Sequence, residues 1–431
     1  MLNKRLMASL LIPVLLTVSG CRTTGGKSVE ELVTTPQSEL ENRFPAAWVE
    51  LGSEGASIAR VLTVDMSCPV LNVDGRTLPM NIRGTRTEAF NITTCEATLP
   101  AHAQLVLLSK YRLPVPSSDP KRIVVIGDTG CEIKEDDGKV SVQNCADSEK
   151  WPFAHVAQSI ASVKPDLIIH VGDYHYREVP CPKKYSAKCA GASVGDTWAS
   201  WKEDWFTPAA AMFASAPLIL ARGNHELCAR AGNGWFQFLD PRPLPAACTD
   251  SVAPYWMTVG DHHIAVVDAA DDKNMQSSFD TLKPNVSGFT WWVLHRPFLT
   301  DGADDELSKD ASPAKLPAPW QAPGLLSAVI TGHKHLLSLN SFPKNANPPE
   351  IISGNGGTTL EKPKTDNQVM EAVQTADLVS LNYFDYGFLV FDRMDVGKWQ
   401  IQAMDRDANV IATCTLTEQA GVRSTLNCKP I

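Results

Sequence analysis

Two periodicities divide the chain. Between residues 45 and 117 apolar and polar positions alternate, the period of half-buried strands. Leu71 and Val73 alternate with polar neighbours up to Asp74-Gly75, a dipeptide suited to a hairpin turn. Leu78, Met80 and Ile82 alternate with Pro79, Asn81 and Arg83 on the return, Phe90, Ile92 and Thr94 repeat the pattern, and 104–115 supplies a last strand. This segment is expected to form a small β-sandwich acting as a spacer or shield, clipped by Cys68 and Cys95 and followed by a Pro/Ser-rich linker from Pro114 to Pro120. From Lys121 short continuous apolar runs, which read as strands buried on both faces, alternate with segments of helical period. The spacing predicts helices over 151–163 and 197–213, the second with Trp198, Trp201 and Trp205 as a core-packing stripe. Beyond Tyr255 the chain reads mostly as strand: 255–259, 263–269, 290–294, 326–331, 336–342, 350–353, 386–391, 399–405 and 410–416. The polar stretches 271–289, 300–323 and 361–379 read as loops, and so many strands imply two stacked sheets with helices outside.

Five apolar runs end in residues that bind metal ions. Asp128 ends Ile123-Val124-Val125-Ile126-Gly127, and Asp173 follows Leu167-Ile168-Ile169-His170-Val171-Gly172. Asn224 and His225 end Leu218-Ile219-Leu220-Ala221-Arg222-Gly223, His295 ends Trp291-Trp292-Val293-Leu294, and His333 and His335 follow Ala328-Val329-Ile330-Thr331-Gly332. A lone Gly-Asp after a strand is ordinarily a turn. Five such junctions in succession point instead to a site beyond the carboxyl ends of the strands. Carboxylate, amide oxygen and imidazole donors suit iron, zinc or manganese.

The order Gly127-Asp128-Thr129-Gly130, Gly172-Asp173-Tyr174-His175-Tyr176, Gly223-Asn224-His225-Glu226, Trp292-Val293-Leu294-His295 and Gly332-His333-Lys334-His335 resembles the metallophosphoesterases, and more narrowly the purple acid phosphatases. Trp292 stands where that family usually has Val, at a strand position that binds no metal. The resemblance implies an α+β fold: an N-terminal β-sandwich domain (45–117), then a four-layer αββα metallophosphoesterase domain (118–431). It also implies a ligand set. Asp128, Tyr176 and His335 hold a first metal, Asn224, His295 and His333 a second, and Asp173 bridges. Most metallophosphoesterases have His where this chain has Gly130. Tyr176 then completes the first site as a tyrosinate on Fe3+, beside Zn2+, Mn2+ or Fe2+ in the second, although Tyr174 is a competing ligand on sequence alone. His225 is the candidate to protonate the leaving group, with Glu226 orienting it and His175 or Arg296 as further contributors. The residues 296–332 hold no histidine, although family members often have further histidines there.

The implied activity is hydrolysis of small phosphate monoesters, by a metal-bridged hydroxide, at acidic to neutral pH. A phosphodiesterase or nucleotide hydrolase on the same site is the near alternative. An adhesion lipoprotein with a degenerate enzyme domain is the distant one, disfavoured by intact ligands in all five blocks. The 431-residue chain has a formal net charge of −9, which argues against nucleic acid as a partner. Lys4 and Arg5 followed by an apolar run to Val18 read as a signal peptide (1–20). Val18-Ser19-Gly20-Cys21 resembles a bacterial lipobox, so Cys21 is expected to carry lipid and residues 21–44 to form a tether. That places the protein at the cell envelope, bound to a membrane by its lipid alone, and on an outer membrane where one exists because Arg22 and not Asp follows. The remaining ten cysteines are even in number and fall into five short loops. An oxidising compartment with sequential pairing, Cys68–Cys95, Cys131–Cys145, Cys181–Cys189, Cys228–Cys248 and Cys414–Cys428, is the simplest expectation.

Overall fold

The computed structural model describes residues 42–136, 138–284, 288–300, 315–344, 347–363, 369–375 and 377–431. The expected signal peptide, Cys21 and most of the tether lie outside the described residues.

Two large sheets carry the fold. One has eleven strands, and at its middle run the parallel strands Arg122–Ile126, Leu167–His170 and Leu218–Leu220. The other has eight, with His262–Val266, Phe289–Val293, Ala328–Thr331 and Glu350–Ser353 parallel at its middle. Alternate residues of each strand serve two cores. Val125, Ile169 and Ile219 of the first sheet meet Ile264, Trp291, Val293 and Ile330 of the second. Val124, Ile126, Ile168 and Leu220 turn the other way, under Phe153, Val156, Ile160, Trp201 and Trp205 of the outer helices. On the far side Trp292 and Val329 pack on Met275, Phe279 and Trp320. Burial on both faces is why these strands read as continuous apolar runs. It also explains Trp292, which fills the space under the helix Asp272–Thr281.

The residues 45–117 correct the expectation of a separate β-sandwich. Four of their strands extend the eleven-stranded sheet: Ala46–Leu51 pairs in parallel with Leu218–Leu220, and Ser57–Thr63, Thr93–Thr98 and Asn81–Gly84 follow outward. The other four, Val70–Val73, Arg76–Pro79, Val106–Leu108 and Tyr111–Leu113, form a small sheet of their own. The hairpin at Asp74-Gly75 is present, with Val73 opposite Arg76. Charged residues tie this segment down. Arg60 and Arg83 are buried and donate to main-chain carbonyls of Phe236, Phe238 and Asp240, at the end of the helix Gly232–Phe238.

Smaller differences have local causes. The second expected helix is broken into Trp198–Trp201, a π-turn at Lys202–Phe206, and Ala210–Ser215. Pro208 has no N–H to continue the ladder. Within the stretches read as loops, Asp272–Thr281 is helical and Met370–Gln374 is an edge strand. All five sequential disulfides are formed.

Candidate metal centre

The five junctions converge where both sheets present their carboxyl ends. Asp128, Asp173 and Asn224 follow the three parallel strands of the larger sheet, and His295 and His333 follow two of the smaller. The loops are laced to one another through the main chain. Asp128 N donates to Gly172 O (3.0 Å), Thr129 N to Asp173 O (3.0 Å) and Gly332 N to His295 O (2.9 Å). The Asn355-Gly356-Gly357 turn lies beneath, with Gly356 N on Gly127 O and Thr358 N on Asp128 O, both 3.0 Å. Asp128, Asp173 and His333 hold left-handed backbone, with φ of 56°, 59° and 69°. L side chains adopt that region at a cost, and such strain collects at functional sites.

Two groups of donors result. The Tyr176 phenol oxygen lies 2.8 Å from Asp173 Oδ2, 3.2 Å from Asp128 Oδ1 and 3.0 Å from His335 Nε2. His295 Nε2 lies 3.0 Å from both Asp173 Oδ2 and Asn224 Oδ1. One donor atom each of Asp173, His295 and His333 fall within 4.8 Å of one another. Asp173 belongs to both groups. All seven residues marked out in the sequence are therefore together. Tyr174 is not among them: its hydroxyl donates to Ala221 O (2.9 Å), and its ring stacks on His170 in the core. Gly130 accounts for the choice, because a Cβ there would sit 2.7 Å from Tyr176 Cδ2. A side chain at 130 and the Tyr176 ring exclude each other.

These donors fit a pair of cations. Burial, then the neighbouring Asp173, pushes the Asp128 carboxyl well above the usual range, while His295 and His225 hold Asp173 well below it against its burial. Burial, with Asp173 and Asp128, drives the Tyr176 phenol well up. Crowded buried oxygens of this kind call for positive charge between them. The donor set of carboxylates, phenol, amide and imidazoles, without thiolate, is that of hard to intermediate metals.

A family model for calcineurin-like phosphoesterases matches residues 121–337, half of the chain. The chain belongs to that family. Within it, the chain is similar to purple acid phosphatases. It is 22% identical over 323 residues to purple acid phosphatase 15 of Arabidopsis thaliana, a match covering 68% of this chain and 57% of that protein. The chain thus spans little more than half the length of this curated relative. Its fold is similar to that of purple acid phosphatase PPD1 from yellow lupin, with a TM-score of 0.56 at 14% identity over 87% of this chain and 74% of that one. A PhoD structure is similar with a TM-score of 0.50 at 10% identity, over 89% and 91% of the two chains.

Around its centre the phosphoesterase carries a polar shell that sequence reading resolved in part. His225 lies against the Tyr176 ring, 3.6 Å between centroids and tilted by 33°, with Nε2 3.8 Å from Asp173 Oδ2. Its Nδ1 lies 2.6 Å from Glu178 Oε1, and Arg230 grips Glu178 through Nε (2.6 Å) and Nη2 (2.9 Å). Glu178 is thus the orienting partner, not Glu226 as expected. The Glu226 carboxylate instead accepts the main-chain N–H groups of Gly223, Asp173, Tyr174 and His175, stapling two loops together. Asp204, on the π-turn, does the same for Tyr176 N and Cys131 N. Neither Glu178 nor Asp204 was identified from sequence. Glu178's signal was its place two residues past Tyr176; Asp204 had none. His175 is turned away to Ser200 Oγ and Trp201, so it is no contributor. Arg296 does reach the centre, with Nη1 2.9 Å from His333 Nε2.

Proposed function

We propose that this phosphoesterase hydrolyses small phosphate monoesters at a dinuclear metal centre, with Fe3+ in the first site and Zn2+, Mn2+ or Fe2+ in the second. Asp128, Tyr176 and His335 hold the first ion, Asn224, His295 and His333 the second, and Asp173 both. The observation that carries this reading is the Tyr176 phenol among Asp128, Asp173 and His335, opposite a Gly130 with no room for an imidazole. Similarity to a purple acid phosphatase supports it.

Two bound cations supply neutralisation of the phosphoryl charge and an acidified water. The chain's own residues do the rest. His225 gives a proton from Nε2 to the departing alkoxide. Glu178 accepts the Nδ1 proton, which fixes the ring, stabilises the imidazolium and leaves Nε2 facing the centre. Arg230 keeps Glu178 ionised and in place. The Asp173 carboxylate accepts from His225 N (2.9 Å) and the Asp173 carbonyl from Thr129 N (3.0 Å), which fixes this residue in place at the centre.

Purified protein assayed on a panel of mono- and diesters, before and after chelation, tests the reading. Chelation should abolish monoester hydrolysis, and iron with zinc should restore it. Full activity in the stripped protein, or a preference for diesters, overturns it. The proposal extends to export. Five disulfides fit an oxidising compartment. No helix among the described residues is long and apolar enough to cross a membrane. Val18-Ser19-Gly20-Cys21 supports lipid on Cys21 as the anchor at the cell envelope, and equal release of wild type and Cys21→Ser into the soluble fraction would exclude it.

A further inference from the structure

Arg296 follows His295 directly and is half-buried at the edge of the centre. Its hydrogen bonds run from Nη1 to His333 Nε2 (2.9 Å) and from Nε to Ala270 O (3.5 Å). Among the described residues no carboxylate lies within ion-pair distance of it. The other arginines beside the loops of the centre differ. Arg177 is paired with Glu203 and Asp204, Arg222 with Asp268, and Arg230 with Glu178. Lys134, whose ammonium lies 6.0 Å from the Tyr176 ring centroid, is held by Asp136 and Glu132. Among the described residues, Arg296 alone of this group makes no ion pair with an acid; Asp272, Asp173 and Asp271 act on it only from farther off.

Its one close partner conflicts with the centre's chemistry. A guanidinium only donates, so His333 must offer Nε2 as an acceptor. A neutral imidazole has a single in-plane lone pair. A cation on His333 takes that lone pair, whichever nitrogen it uses. If it binds Nε2, Arg296 is displaced. If it binds Nδ1, Nε2 carries the proton and faces Arg296 donor to donor. The hydrogen bond to Arg296 and a cation on His333 therefore exclude each other, and loading the second site leaves an unpaired guanidinium beside it. A half-buried charge without a partner is costly. The complementary partner is an anion with two oxygens to offer.

We propose that Arg296 is the phosphate-binding residue of this site: it rests on His333 while the second site is empty and turns to the phosphoryl oxygens of ester or product once that site is filled. The inference rests on the phosphatase reading above. The absence of any histidine from 296 to 332 leaves this role open for an arginine at the same loop.

The full-length protein, stripped of metal, is titrated with Zn2+ alone by calorimetry, and the zinc-loaded protein is then titrated with inorganic phosphate. Arg296→Met removes the competitor, so its weaker zinc ion should bind several-fold tighter than in wild type. Its phosphate affinity should fall about tenfold or more, the worth of a charge-assisted hydrogen bond. Arg296→Lys, which keeps the charge and loses the fork, should recover part of the phosphate affinity and guards against a Met variant that merely misfolds. Unchanged phosphate affinity in Arg296→Met overturns the proposal. So does weaker binding of the second zinc, which would make Arg296 a positioning residue for His333. A wild type that binds zinc and phosphate but cleaves no ester refutes the phosphatase reading and leaves this one standing; a wild type that binds zinc and no phosphate refutes this one.

Discussion

A methyl group at position 130 tests the packing that selects Tyr176. In Gly130→Ala the new Cβ meets Tyr176 Cδ2 at 2.7 Å, Tyr174 O at 2.8 Å and Asp204 Oδ2 at 2.9 Å. Carbon atoms rest about 3.5–4.0 Å apart, so something must yield by roughly an ångström. None of the three yields readily. The Tyr176 ring is fully buried and wedged against His225, and the Tyr174 oxygen belongs to the main chain. Asp204 is held by Tyr176 N (2.7 Å), Cys131 N (2.8 Å) and Arg177 Nε (2.9 Å). Overpacking a closed core costs ~1–3 kcal/mol, and three rigid neighbours place this change in the upper half, about 2–3 kcal/mol. Denaturant unfolding of the metal-stripped protein measures it. A double-mutant cycle isolates the ring: with Tyr176→Ala in place one of three clashes is gone, so coupling of about 1 kcal/mol is expected. A phenolate on Fe3+ absorbs visible light, so the same displacement should pull the phenol from Asp128 and Asp173 and bleach that band in the iron-loaded protein. Stability within about 0.5 kcal/mol of wild type, the range of an ordinary surface change, together with an intact band, would refute the reasoning.

Other predictions follow from the same geometry. Tyr176→Phe should lose the iron band by absorbance and weaken the first site, whereas Tyr174→Phe should keep both and lose only about 1 kcal/mol of stability from the Ala221 hydrogen bond. Glu178→Gln should lower kcat about tenfold or more on esters of poorly acidic alcohols and far less on nitrophenyl esters, because only the former need the His225 proton. Burial pushes the Glu50 carboxyl up to about 7 against the pull of Arg60. The folded state therefore prefers the protonated acid: its contribution is full below the unfolded value of about 4.5 and is lost as pH rises to about 7. Glu50→Gln should flatten the pH dependence of unfolding between those limits. Removing Cys228–Cys248, which closes a loop behind Asn224, should cost about 2–4 kcal/mol in thermal or denaturant unfolding.

What the sequence made legible was local. Each proposed metal ligand follows an apolar run within a few positions, so strand, turn and donor are read together. The disulfides were legible for the same reason, since every partner lies within a short loop. What escaped was non-local pairing. The alternation in 45–117 correctly indicates strands, but nothing in it says that Ala46–Leu51 lies against Leu218–Leu220. Nothing in the pattern marks Arg60, Arg83, Glu50 and Glu96, which are ion-paired with one another where Arg60 and Arg83 meet the helix Gly232–Phe238. The helix Asp272–Thr281 was missed because only Met275, Ser278 and Phe279 of its ten residues are buried, too few to mark a period. Met370–Gln374 is an edge strand without a fully buried side chain, and Ala372-Val373 breaks the alternation of apolar and polar positions that marks a strand. Glu226 and Glu178 both lie near His225 along the chain or across it. Only coordinates distinguish the carboxylate that meets its ring from the one that collects main-chain N–H groups.

The place of Ala46–Leu51 has a consequence for synthesis. This strand leaves the ribosome before any of the phosphoesterase strands, yet its neighbour on one side is Leu218–Leu220. At about 5–20 residues per second, the early hairpin waits on the order of ten seconds or more with an unpaired edge exposed. During that interval Trp48 and Leu62 have no helices to cover them, since Trp205 and Phe213 are still to be made. The nascent chain therefore presents an adhesive strand to its surroundings until the middle of the sheet arrives to receive it. Any factor that binds extended apolar segments would find its target here, and arrest of translation between these two strands would leave a fragment that aggregates through this edge.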